Sequence, residues 1–250
     1  MIDVGQGDCI LIQAPEKNVL IDSGEEGCGP GIMGYLDALG VNRLDIIVAT
    51  HPHSDHIGDM DYVIRRIGTV GTVYTTEIPE NVSPTTRCYE NLLEAIAIRR
   101  TELTTAVIGS RISLGEDCTL TFIGPVEPFE DYNDDSLVCR VVFGKNAFLF
   151  GGDSGAAAET LLLESGTDIS CDCIHLAHHG SSKSSMEAYL DAAGPSIATI
   201  SCGRDNDYGH PHRATLERLK ARGIAYYRTD LQGNIVVTSD GKSITVETER

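Results

Sequence analysis

Short apolar runs separated by turn residues recur along the whole chain. Their length, their alternation of apolar and polar positions and their content of β-branched residues predict strands. The predicted strands cover residues 8–13, 18–22, 45–50, 72–76, 118–124, 137–143, 147–151, 173–177, 197–201, 225–227, 234–238 and 243–247. Apolar residues at helical spacing predict helices at 31–39, 57–67, 86–100, 156–165, 184–192 and 213–222.

Turn signals indicate how these strands connect. Polar turns at 15–18, 144–146 and 239–242 predict antiparallel hairpins, whereas strand-helix-strand stretches predict parallel crossovers. This mixture favours an α/β fold in which two mixed β-sheets pack face to face and are flanked by helices. The 250 residues, 41% of them hydrophobic, contain no repeat and no low-complexity linker, so we predict a single domain over 1–250. Because Met1 to Val4 reads as the end of a strand, we expect a domain excised from a longer chain.

Composition narrows the classes of molecule that the chain is expected to bind. The formal net charge of −18 argues against a general basic groove for nucleic acid, although a bound divalent cation can reverse the potential locally. No run of about eighteen apolar residues and no signal-peptide pattern is visible, so the chain as given is expected to be soluble. The sequence leaves the compartment open between the cytoplasm and an extracytoplasmic domain of a membrane protein.

Potential metal ligands cluster where the predicted strand 45–50 ends. His51, His53, Asp55 and His56 occupy six consecutive positions. Imidazole and carboxylate groups at the carboxyl end of a strand can converge on a metal, and this spacing offers two ligand pairs for two neighbouring ions. A polar surface loop is the alternative, but three clustered histidines that titrate near neutrality make it unfavourable.

Two further strand ends carry similar residues. Asp153 follows the strand 147–151, from where a carboxylate can bridge two metals, although aspartates at such positions commonly cap the next helix. His178 and His179 follow the strand 173–177, and because neighbours on a strand point to opposite sides, we expect one to bind metal and the other to contact substrate. Which of the two binds metal stays open. His175 lies inside the strand and is predicted to be a core histidine.

The last histidine cluster is Asp207 to His212. We predict that His210 binds substrate or donates a proton to the leaving group and that His212 begins a helix, with a surface loop as the alternative for both.

These motifs together resemble a known family. Thr50 to Gly58 resembles the HxHxDH signature of the metallo-β-lactamase superfamily, Asp22 in Val19 to Gly24 resembles its first motif, and Asp153 and His179 match its later aspartate and histidine. The stretches 3–8, 136–138, 151–153, 178–181 and 208–211 resemble more narrowly the soluble domain of ComEC-type DNA-uptake proteins and their free-standing relatives. The resemblance spans nearly the whole chain.

The resemblance implies an αββα sandwich and hydrolysis of an ester-like bond by a hydroxide held at two divalent metal ions, zinc or manganese. His51, His53 and Asp153 would hold one metal, and Asp55, His56, Asp153 and His179 the other. Asp22 would orient a ligand histidine, and Asn133, Ser136 and Ser181 would support the site or contact substrate. The superfamily commonly supplies a third histidine to the first metal from mid-chain, and residues 57–174 contain none. We therefore expect a weaker, more exchangeable first site, tolerant of manganese.

The leading functional hypothesis is a phosphodiesterase or nuclease in which Asp55, His178 and His210 are the catalytic residues. Its substrate would be a phosphodiester such as single-stranded DNA, and its partner a membrane-channel domain in a longer parent chain. The first alternative is a small-molecule hydrolase such as a phosphorylcholine esterase, lactonase or thioesterase, since such a metal site does not fix the substrate. The second is a metal-binding module without turnover.

Overall fold

The structure is a computed structural model that describes residues 1–78 and 83–250. Fourteen strands lie in these described ranges. They are β1 (Ile10–Gln13), β2 (Asn18–Ile21), β3 (Arg43–Val48), β4 (Thr69–Thr75), β5 (Glu102–Thr105), β6 (Arg111–Gly115), β7 (Cys118–Gly124), β8 (Val138–Phe143), β9 (Asn146–Phe150), β10 (Cys173–His175), β11 (Ile197–Ile200), β12 (Ala225–Arg228), β13 (Ile235–Ser239) and β14 (Ile244–Thr248).

The helices of the same ranges lie between these strands. They are α1 (Gly29–Ala38), α2 (Ser54–Ile57), α3 (Met60–Arg66), α4 (Arg87–Arg99), α5 (Ala156–Glu164), α6 (Glu187–Ala193), α7 (Arg213–Ala221) and α8 (Thr229–Gln232), with a 3₁₀ turn at Ala177–Gly180. None of these helices has the length and apolar character that a membrane span requires.

The strands form two mixed sheets and a hairpin. The first sheet has the order β1-β2-β3-β4-β5, in which only β1 runs antiparallel to its neighbour. The second has the order β12-β11-β10-β9-β8-β7-β6 and is parallel from β12 to β9 and antiparallel from β9 to β6. The hairpin joins β13 and β14. The predicted hairpins at 15–18, 144–146 and 239–242 are thereby confirmed.

Alternating side chains of β2 show how the layers stack. Leu20 packs with apolar residues of α1, α3 and α4, whereas Val19 and Ile21 pack with Phe122 and other residues of the second sheet. A third apolar cluster lies between the second sheet and helices α5, α6 and α7. The order of layers is therefore helix, sheet, sheet, helix, and the predicted αββα fold class is confirmed.

Several element boundaries differ from the prediction. The helix predicted at 57–67 is α3, which begins only at Met60, because the chain leaves helical geometry at Asp59 (φ −117°) after the short helix α2. The helix predicted at 184–192 begins only at Glu187, since Ser185 has a positive φ of 52°. Strands β5 and β6 were not predicted, because their sequences, Glu-Leu-Thr-Thr and Arg-Ile-Ser-Leu-Gly, carry few apolar residues.

The parallel strands bring the polar residues of interest to one place. The chain leaves β2 before Asp22, β3 before His51, β9 before Asp153 and β10 before His179. Parallel strands end at the same edge of a sheet, and ligands of α/β proteins commonly bind beyond that edge. Both sheets contribute strand ends here.

Candidate metal centre

Four side chains from both sheets converge beyond the strand ends. Asp55, His56, Asp153 and His179 each offer an atom, and these four atoms all lie within 4.8 Å of one another. His56 Nε2 lies 3.1 Å from Asp153 Oδ1, and His179 Nε2 lies 3.3 Å from Asp55 Oδ2. The structure thus brings together residues that are far apart in the sequence.

The arrangement fits a divalent metal ion. His56 Nε2, Asp153 Oδ1 and His179 Nε2 are buried and have no hydrogen-bond partner of acceptable geometry. Buried polar atoms without hydrogen bonds are costly, so two imidazole nitrogens and a carboxylate oxygen that face one another in this state fit a bound cation. Imidazole nitrogen and carboxylate oxygen are the donors that zinc and manganese accept.

Asp22 supports two histidines at once. Its Oδ2 accepts a hydrogen bond from His56 Nδ1 at 2.8 Å and another from Thr50 Oγ1 at 2.7 Å. Because Thr50 Oγ1 uses its proton on Asp22, its lone pair faces His51 Nδ1, 3.1 Å away. Protons on both Nδ1 atoms leave the Nε2 atoms of His51 and His56 free as ligands. Asp22 itself is fully buried.

Asp8 supports His179 from the opposite side. Its Oδ1 lies 3.3 Å from His179 Nδ1 and 3.2 Å from His175 Nε2, and all three side chains are buried. His179 Nδ1 also donates to the Ser201 carbonyl at 3.1 Å. His175 pairs with Thr199 Oγ1 at 3.0 Å on its other nitrogen, as expected of a core histidine.

Gly7 allows the chain at Asp8 to approach helix α2, which carries Asp55 and His56. It has a φ of +124°, and a Cβ there would collide with the carbonyl oxygen of Asp55. The close approach allows Asp8 N–H to donate to that carbonyl at 3.1 Å. Asp8, Asp22 and His56 also lie within 4.8 Å of one another, but the hydrogen bond between His56 and Asp22 makes this group a support rather than an open site.

His51 and His53 flank the four converging side chains. His51 Nε2 lies 3.0 Å from His53 Nδ1 and 4.0 Å from Asp153 Oδ2. The support of His51 consists of hydroxyl groups, since Ser136 Oγ lies 3.2 Å from its Nδ1. Ser136 Oγ also accepts the N–H of Asp153 at 3.0 Å and so connects this histidine to Asp153.

His178 and His179 do not lie on a strand, so the prediction that they point to opposite sides as strand neighbours is wrong. Strand β10 ends at His175, and both histidines have a left-handed φ of 54° in the following 3₁₀ turn. They nevertheless differ, because the His179 side chain is 1% exposed and that of His178 is 25% exposed. His179 is the one among the four converging side chains, whereas His178 Nε2 lies 3.7 Å from Asp153 Oδ2.

An open cleft of about 580 Å³ leads to these residues. Asp55, Asp153, His53, His178, His179 and His210 line it, together with Gln6, Pro52, Ser54, Ser83 to Thr86, Tyr132, Asn133 and Tyr208. Asn133 Oδ1 and His210 Nδ1 are buried atoms without a hydrogen-bond partner. These two atoms are therefore available to a substrate or a metal.

Ser136 and Ser181 lie behind the cleft. Both are buried, and Ser181 Oγ accepts the N–H of Lys183 at 3.3 Å while its carbonyl accepts the hydroxyl of Thr215 at 3.0 Å. The contacts of Ser181 thus tie the histidine turn to α7. Ser181 is not among the residues that line the cleft, and its contact with substrate stays a prediction.

The charges of the site counterbalance one another. Burial lowers the pKa of His56 and His179, but the carboxylates of Asp153, Asp22 and Asp8 outweigh it, so the pKa of His56 lies well above its usual value and that of His179 rises to about 10. Burial raises the pKa of Asp55, but His179 and His56 bring it down to about 2. Without a metal, His56 and His179 are therefore protonated at neutral pH. A cation can replace these protons, so metal binding should release them.

Other histidines are held neutral. Burial, reinforced by the neighbouring His56, places the pKa of His51 well below its usual value. Burial and the proximity of His179 and His178 lower the pKa of His210 to about 4. At neutral pH these imidazoles act as ligands or hydrogen-bond donors rather than as cations.

Comparison with known proteins agrees with this geometry. Residues 2–204 match the family described as the metallo-beta-lactamase superfamily. Competence protein ComA of Neisseria gonorrhoeae is 32% identical over 236 residues, which cover 92% of this chain and 30% of that protein. ComE operon protein 3 of Bacillus subtilis (strain 168) is 28% identical over 254 residues, which cover 94% of this chain and 32% of that protein. The chain thus spans about a third of the length of these relatives.

A solved structure shows the same fold. The metallo-beta-lactamase fold protein YhfI from Bacillus subtilis superposes with a TM-score of 0.57 at 14% sequence identity, covering 91% of this chain and 94% of that one. With the family match over residues 2–204 and the histidines and aspartates gathered beyond the ends of both sheets, this chain belongs to the metallo-β-lactamase superfamily.

Proposed function

We propose that this domain is a metal-dependent phosphodiesterase and that it acts as a nuclease on single-stranded DNA. One observation carries the proposal: three buried atoms without partners, His56 Nε2, Asp153 Oδ1 and His179 Nε2, face one another beside the open cleft. A cation there would be reached by a ligand of small-molecule size.

Two divalent ions, zinc or manganese, fit the available donors. Asp55, His56, Asp153 and His179 would hold one of them, and His51, His53 and Asp153 the other, with Asn133 Oδ1 as a further oxygen ligand. Such ions supply Lewis acidity, an activated water and neutralisation of charge on a phosphoryl group.

The chain's own residues would position the substrate. His178 and His210 line the cleft beside the metal ligands, and their rings lie 5.6 Å apart. Burial lowers the pKa of both, so each would donate a neutral N–H to a phosphate oxygen. Asp55, 24% exposed, faces the same space and would hold both a metal and the attacking water in place.

The relatives' names support a DNA substrate. They include Competence protein ComA and the Recombination protein 2 of Haemophilus influenzae, which is 29% identical over 244 residues. A membrane-channel domain as partner in a longer chain stays a prediction.

Hydrolysis of bis(p-nitrophenyl) phosphate and single-stranded DNA tests the proposal. Metal-stripped protein reloaded with zinc or manganese should cleave both, and Asp55→Ala should lower the rate by about a hundredfold or more. The variant should fold, because Asp8 binds the backbone carbonyl of Asp55 rather than its side chain. Asp61→Asn on α3, which breaks a surface ion pair with Arg65, is the matched control and should retain full activity. An Asp55→Ala variant as active as the wild type would refute the catalytic role.

A small-molecule ester hydrolase is the second candidate. The net charge of −18 favours it, as does the cleft lining, in which the described residues include no lysine or arginine. Faster metal-dependent cleavage of a lactone, a thioester or p-nitrophenyl acetate than of either phosphodiester would establish this candidate. Turnover of none of these substrates by protein with bound metal would indicate the non-catalytic module.

A further inference from the structure

Tyr208 is an exposed aromatic ring at the wall of the cleft. Tyr208 is 64% exposed. Its ring lies nearly parallel to that of His210, with the ring centroids 5.6 Å apart and an angle of 19° between the ring planes. His210 in turn lies 6.0 Å from the ring of His179. A flat aromatic surface is thus placed one ring beyond the residues proposed to contact phosphate.

The loop that carries Tyr208 is held by specific hydrogen bonds. Asn206 binds both the N–H and the carbonyl of His210, at 2.9 and 2.7 Å, and also the carbonyl of Gly203. The carbonyl of Tyr208 lies 3.1 Å from His212 Nε2. A ring on a loop fixed in this way binds a planar group at low entropic cost.

Among its described lining residues, the cleft offers no basic side chain, histidines aside, that could bind a substrate. The charged side chains among its described lining residues, histidines aside, are the carboxylates Asp55 and Asp153. A phosphate away from the metals would find no lysine or arginine in this lining, so binding beyond the reacting phosphate must come from other contacts. Tyr132, which contacts the His53 ring at 5.7 Å, provides an aromatic group near the other metal.

We infer that Tyr208 is the platform on which a nucleobase of the substrate stacks, so that the site selects a phosphodiester bearing a base, presented as an unpaired nucleotide. This inference rests on the proposed phosphodiesterase function. Stacking suits single-stranded nucleic acid because every base has an aromatic face, and it requires no basic groove. A paired base within a duplex cannot offer its face to the ring.

Matched chromogenic esters test the inference. The p-nitrophenyl esters of thymidine 5′-monophosphate and of 1,2-dideoxyribose 5′-phosphate share the leaving group and the sugar and differ only in the base. The wild type should prefer the thymidine ester in kcat/KM by about tenfold or more, the range expected of one stacked base. Tyr208→Leu should bring the ratio close to one, whereas Tyr208→Phe should keep it. Tyr62→Leu is the control, because Tyr62 lies under Arg66 on α3.

Other outcomes overturn the inference. An unchanged ratio in Tyr208→Leu would show that the ring does not read the base. A preference for p-nitrophenylphosphorylcholine that depends on Tyr208 would assign the ring to a quaternary ammonium group instead. If the metal-loaded wild type cleaves no phosphodiester, the proposed function fails, and stacking is then judged by binding alone: fluorescence of 2-aminopurine deoxynucleoside 5′-monophosphate should be quenched by the wild type and by Tyr208→Phe but not by Tyr208→Leu.

Discussion

His56 and His179 each lie against a buried carboxylate, whereas His51 lies against two hydroxyl groups. Asp22 and Asp8 support the first pair at 2.8 and 3.3 Å, and Thr50 and Ser136 support His51 at 3.1 and 3.2 Å. We call Asp55, His56, Asp153 and His179 the carboxylate-supported half and His51 and His53 the hydroxyl-supported half. A carboxylate behind an imidazole makes it a more basic ligand, so the two halves should differ in metal affinity.

The largest effect should follow from the residue that faces both halves. Asp153→Asn removes a charge that lies 3.1 Å from His56 and 4.0 Å from His51, so both metals should be lost and activity should fall on the order of a thousandfold. Metal content by mass spectrometry and hydrolysis rates measure this. Asp168→Asn, an exposed surface carboxylate, is the control. A variant that retains both metals would show that Asp153 is not shared.

Asp22→Asn should weaken both halves without removing a ligand. It disturbs His56 directly and His51 through Thr50, and loss of such a support lowers metal affinity by roughly 10- to 100-fold. Chelator competition gives the two dissociation constants, and a thermal melt checks folding. A change in only one of the two dissociation constants would show that the contact through Thr50 does not affect the affinity of the hydroxyl-supported half.

In the wild type the metal affinities of the two halves should differ by about tenfold or more, and the carboxylate-supported half should bind its metal more tightly. Stepwise removal with a mild chelator, followed by metal analysis, measures the difference. Two zinc ions retained equally would contradict the comparison.

Asp8→Asn should affect the carboxylate-supported half alone, by about tenfold, because its contacts are to His179 and His175. Chelator competition should show the second affinity unchanged. Asp8→Glu, which keeps the negative charge but places it on a longer side chain, should retain part of the affinity. Equal weakening of both metals would make Asp8 a general determinant of folding.

The smallest effect should come from Ser136→Ala. The variant removes the hydroxyl contact to His51 and also the acceptor of the Asp153 N–H. The contact to His51 is worth about 1 kcal/mol, or roughly fivefold in affinity of the hydroxyl-supported half. Calorimetric titration with manganese measures it. No change would leave Thr50 as the sole support of His51.

The fold class and most of the site residues could be predicted because strand ends carry their own signal. His51 and Asp153 stand within three residues of the ends of apolar strands, so their clustering follows from parallel strand geometry. The hairpins were predictable because their turns contain the required residue types.

What could not be predicted depends on contacts between distant segments. Asp8 was not singled out as a support of His179, because nothing local to residues 3–8 shows that their turn packs against the histidine turn; the only signal was its place in the motif that carried the family resemblance. Thr50 was missed for the same reason. The left-handed geometry of His178 and His179 was unpredictable, since non-glycine residues rarely adopt it.

The ligands come from both sheets: His51 to His56 follow β3 of the first sheet, and Asp153 and His179 follow β9 and β10 of the second. A bound ion would therefore cross-link the two sheets of the sandwich, and separating the sheets would require its release. At a free metal concentration a hundred times the dissociation constant, this linkage adds about 2.7 kcal/mol to the free energy of unfolding. The cell's supply of metal would then set not only turnover but also how long the folded domain resists proteolysis.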